Sequence, residues 1–157
     1  MSEISIVTGY LTGGIIRGIF VAAVVSLITL FFTQLNIQYP VLAILVIVMT
    51  AGVFSLAGLL NAIFAKKFDD IAIIPSFVLA PLTYLGGVFY TIELLPEFWQ
   101  KVSYFNPILY MVNAMRFSVL GESDIDIFVG IVVILSFFVL LLCTSIFLLK
   151  KGVGIRE

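Results

Sequence analysis

The sequence contains no histidine and a single cysteine, Cys143. The first absence removes the commonest general base and the commonest metal ligand. The second excludes an internal disulfide and a thiolate metal cluster. Charge is also scarce. Only 11% of the 157 residues are Asp, Glu, Lys or Arg, against about 25% in an ordinary soluble domain, too few to clothe a water-exposed surface. The net charge of -1 offers no electrostatic footprint for nucleic acid. There is no Gly-x4-Gly-Lys-Ser/Thr phosphate loop and no His-Glu-x-x-His zinc motif. Gly152-Val153-Gly154 is too short for a dinucleotide fingerprint, and no carboxylate falls inside an apolar stretch where it could serve an intramembrane aspartyl protease. The opening MSEISIVTGY lacks the basic region of a cleavable secretion signal.

Apolar residues are what the sequence has in excess. They make up 62% of the chain, and mean hydropathy is +1.27. Such a composition belongs to an integral membrane protein and excludes disorder. A spanning helix needs about 20 mostly apolar residues. Four stretches qualify, at residues 13–32 (with a helical lead-in from Ile6), 40–64, 71–90 and 127–149. Barrel strands would instead alternate over segments of roughly ten residues. The fold class is therefore all-α, an integral membrane bundle of four transmembrane helices with short interfacial or re-entrant helices, read as one domain over residues 1–157.

Three connections separate the four spans. Residues 33–39 are short and neutral, and residues 65–70 read AKKFDD. Residues 91–126 are long and rich in aromatics. Within them ELLPEFWQKVSYFNP sets Trp99, Tyr104 and Phe105 beside Glu93, Glu97 and Lys101, which suits a short interfacial helix. ILYMVNAMRFSVLG follows Asn106-Pro107 and is too short to cross, which predicts a re-entrant or interfacial helix starting at Pro107. Lys66, Lys67, Lys150, Lys151 and Arg156 fall on one side of this arrangement. The excess of basic residues makes that side cytoplasmic, together with both termini.

A few residues stand out against the apolar background. Gly9, Gly13, Gly14 and Gly18 form two overlapping small-xxx-small spacings, which let a second backbone approach closely. They serve either a sliding or dimerising face or ordinary packing inside the bundle. Arg17 is the one charge inside a span. It either snorkels to the headgroups, or pairs with an acidic group or a polar cavity. Asn61 is placed to hydrogen-bond a neighbouring helix, and Asp69 and Asp70 to cap the helix that follows them. Pro75 and Pro81 interrupt the third span and, with Gly86-Gly87 after it, mark a hinge or a static kink. Asn106 and Pro107 fix a break between two short helices. The segment between the third and fourth spans is thus either a gate or a passive interfacial cap.

The stretch FDDIAIIPSFVLAPLTYLGGVFYTIELLPEFWQKVSYFNPILYMVNAMRF, residues 68–117, resembles the C-terminal region of ABC-2 type transporter permeases. The resemblance is carried by a Pro-containing span, the turn Leu85-Gly86-Gly87-Val88-Phe89, the segment from Leu95 to Gln100, and Asn106-Pro107 followed by an Arg. Residues 54–70 and the start GYLTGGIIRG resemble a bacterial exporter branch of the same family. The resemblance implies a multi-pass subunit of the cytoplasmic (inner) membrane that binds no cofactor itself. It further implies a separate ATP-binding cassette subunit that binds ATP, a homodimer of permeases, the lipid bilayer as surroundings, and no nucleic acid. Family members have six spans, so this sequence is expected to correspond to their last four and to lack the first two. An alternative is a non-transporting membrane scaffold or an inert fragment.

Overall fold

The computed structural model describes residues 3–33, 36–65 and 67–152. Lys66 and Arg156, two of the basic residues that set the expected orientation, lie outside the described residues. The described chain is helical: α1 (Glu3–Phe32), α2 (Pro40–Phe64), α3 (Phe68–Ile74), a π turn (Pro75–Leu79), α4 (Ala80–Tyr84), a 3-10 turn (Ile92–Leu94), α5 (Glu97–Tyr104), α6 (Pro107–Leu120) and α7 (Ile127–Lys150).

The ends of these helices follow from local chemistry. Pro40 occupies the first turn of α2, where its missing N–H costs nothing. Asp70 Oδ2 accepts from Lys67 N at 2.9 Å at the start of α3. Asp126 Oδ1 accepts from Phe128 N at 2.8 Å and Val129 N at 3.2 Å, capping α7. Gly121 adopts φ +79 after α6, the left-handed cap that glycine takes without steric cost.

Among the described residues, α1, α2 and α7 are long and apolar enough to cross a membrane. The third expected span departs from that pattern. In place of one helix over residues 71–90, the structure has a run from Phe68 that ends at Tyr84 and changes pitch midway. Proline is the cause. Pro75 and Pro81 have no N–H to donate. The Ala80 N–H bonds the Pro75 carbonyl, five residues back, which is the π spacing. Gly87, at φ +73, then turns the chain out of the helix. The run spans about 25 Å at helical rise, short of the roughly 30 Å hydrocarbon core.

α2 is the centre of the bundle. It packs against α1, α6 and α7 and touches the start of α3. Val46 and Val53 of α2 form one buried cluster with Met111 and Ala114 of α6 and Ile134 of α7. Leu56 and Leu59 form another with Val7 and Leu149. The second cluster joins the start of α1, the end of α2 and the end of α7, so Lys67, Lys150 and Lys151 share one end of the bundle, here called the lysine end. The opposite, acidic end holds Glu122, Asp124 and Asp126.

α1 and α2 approach through small residues. A Cβ on Gly18 would sit 2.5 Å from that of Ala51, and one on Gly14 would collide with Ser55. Ser55 Oγ also donates to the Tyr10 carbonyl at 2.8 Å. Gly9 and Gly13 differ, because a Cβ there meets nothing within 4 Å. The two overlapping spacings therefore have different surroundings. One is filled by α2 and the other is open. Gly14→Leu or Gly18→Leu should force the helices apart and cost about 1–3 kcal/mol. Gly9→Leu should leave stability within about 0.5 kcal/mol. Thermal unfolding of the three variants in one detergent measures the contrast.

Candidate functional site

The open side of α1 faces a cavity of about 1100 Å³. Gly9, Gly13 and Arg17 line it from α1, Thr50 from α2, Thr83 from α4 and Met111 from α6. It exists because the α3–α4 run meets the bundle only near its two ends. At the lysine end Asn61 Nδ2 donates to the Ile71 carbonyl at 2.9 Å. At the other end α4 rests on α6. Between them the π turn has no buried residue.

The second contact is built on Asn106, which is 2% exposed. Its Nδ2 donates to the Leu82 carbonyl at 2.6 Å. Its Oδ1 accepts from Ile108 N at 3.0 Å. One amide thus covers an orphan carbonyl at the end of α4 and an orphan N–H at the start of α6. Pro107 occupies the first position of α6, where no donor is missed. Gly86 makes room for the junction, since a Cβ there would sit 2.8 Å from Ile108 Cγ2.

α6 runs from this junction to the acidic end, antiparallel to α2. Its last carbonyls are met by the 33–39 connection: Gln38 N donates to Val119 O at 3.3 Å and Tyr39 N to Ser118 O at 2.9 Å. The Tyr39 and Phe117 rings stack at 5.2 Å. Arg116 ties the neighbouring loops to α6. It donates to Asp124 Oδ2 and to the Gly87 carbonyl, each at 2.8 Å. Asn113 Oδ1 accepts from Asp124 N at 3.0 Å and from Ser123 Oγ at 3.3 Å.

The expected site residues thus separate into three places. Asn106, Pro107, Gly86 and Gly87 meet at the α4–α6 junction. Pro75 and Pro81 bracket the change of helical pitch. Gly9, Gly13, Gly14, Arg17 and Gly18 all line the cavity, and Gly14 and Gly18 also press against Ser55 and Ala51 of α2. Arg17 is exposed in the cavity, and no hydrogen bond or ion pair reaches it from the described residues. It stands beside Gly14 and Gly18, and so at the level of Ser55 and Ala51, the middle of α2. Ala51 is about 17 Å from Pro40 and about 20 Å from Phe64 at helical rise, so the snorkelling expectation does not fit this position. Sequence reasoning missed the roles of Arg116 and Asn113, whose partners lie across loops.

Three helices long and apolar enough to cross a membrane, a run that changes pitch at Pro75, a shorter apolar helix and a largely apolar cavity define a polytopic membrane protein. The chain belongs to the ABC-2 type transporter family, which matches residues 1–120. It is similar to the inner membrane transport permease YadH of Escherichia coli (strain K12), with 48% identity over 154 residues, 97% of this chain and 59% of the relative. The Shigella flexneri YadH matches to the same extent. Nodulation protein J of Rhizobium leguminosarum bv. viciae is 24% identical over 109 residues, 69% of this chain and 42% of that protein. The chain spans about three fifths of the length of the YadH relatives it matches (59%). No solved structure matches it.

The junction makes a prediction. Asn106→Asp keeps an acceptor for Ile108 N but loses the donor to Leu82, and it sets a carboxylate against a carbonyl. It should destabilise the fold by about 1–3 kcal/mol although Asp is a good N-cap. Thermal unfolding in micelles, compared with the wild type, measures the loss.

Proposed function

We propose that the chain is the membrane-spanning part of an exporter permease, moving substrate across the inner membrane with energy from an ATP-binding cassette subunit. The observation that carries this reading is 48% identity to a transport permease across nearly the whole chain. The absence of a phosphate loop from the sequence agrees with ATP being bound by the partner. The scaffold alternative is less favoured, because a scaffold has no use for an open cavity beside a helix that changes pitch.

The proposed orientation places the lysine end and both termini in the cytoplasm and the acidic end outside, following the basic residues. In this reading the permease works as a homodimer, and motion of the ATPase reaches it as rigid-body helix movement. Pro75, Pro81 and the π turn act as the hinge, since a helix with missing backbone bonds bends there at least cost. Gly86, Gly87, Asn106 and Pro107 carry that movement into α6, which acts as the outer gate. Substrate identity is left to the cavity's chemistry, an apolar wall with one cation.

Topology and partnership are each measurable. On a Cys143→Ser background, a membrane-impermeant maleimide should modify a cysteine placed at Glu122 and spare one at Lys67. The reverse pattern contradicts the orientation. Coexpression with an ATP-binding cassette subunit of the same genome should yield a detergent-stable complex with an altered ATPase rate. Pro75→Ala should reduce that change while leaving the complex assembled. Failure to associate with any such subunit contradicts the exporter reading.

A further inference from the structure

We infer that Asn61 stands in for the backbone donor that Pro75 removes, and that this one side-chain bond fixes the angle of α3 on α2. In an α-helix the carbonyl of residue 71 accepts from the N–H of residue 75. Pro75 has none to give, so the Ile71 carbonyl loses its helical partner. A carbonyl shielded from water needs another donor. Asn61 Nδ2, from α2, supplies one at 2.9 Å. Asn61 is itself buried, so the bond also satisfies a donor of its own amide.

The other end of the run repeats the arrangement for a different reason. There the helix ends, and Gly86 N donates to the Thr83 carbonyl at 3.2 Å. The Leu82 carbonyl is left without the donor four residues on, and Asn106 Nδ2 reaches it. Both asparagines thus meet carbonyls that the run does not satisfy along its own axis. The two ends are not held alike, however. At the Asn106 end Gly86 and Gly87 are buried, and Arg116 donates to the Gly87 carbonyl. At the Asn61 end every residue from Ile71 to Val78 is exposed. A single neutral hydrogen bond between membrane helices is easily broken. Loss of the Asn61 bond therefore frees α3 to tilt on α2, with the bend taken up at the π turn, while α4 stays on α6. In the exporter reading, on which only this step rests, Asn61 keeps α3 from bending until the lysine end is moved.

The bond belongs to the chain's own fold, so its failure would leave the exporter reading in place. The test uses the whole chain in lipid nanodiscs on a Cys143→Ser background, with spin labels on Ile73→Cys and Val139→Cys. A second labelled pair, Tyr84→Cys and Val139→Cys, reports on α4. All three labelled positions are exposed. Asn61→Leu should lower the unfolding midpoint by about 2–4 °C. It should broaden the distance distribution from 73 to 139 and leave that from 84 to 139 unchanged. Asn61→Asp keeps the shape but has no donor when ionised, and should do the same. In Pro75→Ala the restored N–H takes the Ile71 carbonyl, so adding Asn61→Leu should change neither the midpoint nor either distribution. Equal losses with and without Pro75 overturn the proposal, because Asn61 then acts independently of the proline. An unchanged distribution from 73 to 139 in both Asn61 variants overturns it as well. So does equal broadening of both distributions, since the run then leaves the bundle as a whole.

Discussion

A membrane interior supplies no water to a backbone N–H or C=O, so each such group must find its partner within the protein. The structure at both ends of α6 depends on this constraint. The α3–α4 run stops at Tyr84, leaving carbonyls at its end, and α6 begins nearby with N–H groups to satisfy. Asn106 serves both sides at once, reaching Leu82 and Ile108. The far end of α6 has the opposite need, and Gln38 and Tyr39 meet it with backbone donors. Arg116 takes the Gly87 carbonyl, which lies in a turn with no helical partner. The turn at Gly86 and Gly87 is itself buried in protein.

The same constraint separates what is fixed from what is free. α2, α6 and α7 share buried clusters and satisfied ends. The π turn between α3 and α4 has neither, and it is where the chain has the fewest bonds to break in order to bend. The two glycine faces of α1 make a similar contrast. One is filled by Ser55 and Ala51, with a hydrogen bond from Ser55 to Tyr10. The other is open and continues to Arg17.

Much of this was legible in the sequence. Hydropathy located α2 and α7 to within a residue, because both are uninterrupted apolar runs bounded by Pro40 and Asp126. Asn106-Pro107 announced the start of α6, since both residues favour that position whatever surrounds them. Asn61 and Asp70 also behave as local chemistry suggests. The third span was misread in length, because hydropathy counts apolar residues and is blind to the backbone bonds that Pro75 and Pro81 remove. For Arg17 the sequence left snorkelling and pairing both open. α1 begins at Glu3, and its contact with α2 puts the arginine mid-span. The partners of Arg116 and Asn113 depend on which loops meet, and no sequence spacing records that.

The central claim is that α6 begins inside the bundle, at the end of α4, and does not lie flat on the membrane surface. Hydrogen–deuterium exchange of the chain in lipid nanodiscs reports on it directly. The amides of Ile108, Leu109 and Met111 should be protected to a degree comparable with those of Val46 and Val53 in α2, while the exposed residues of α5 exchange much faster. If the first turn of α6 exchanges as fast as α5, the helix lies at the surface and the junction built on Asn106 does not exist in the membrane.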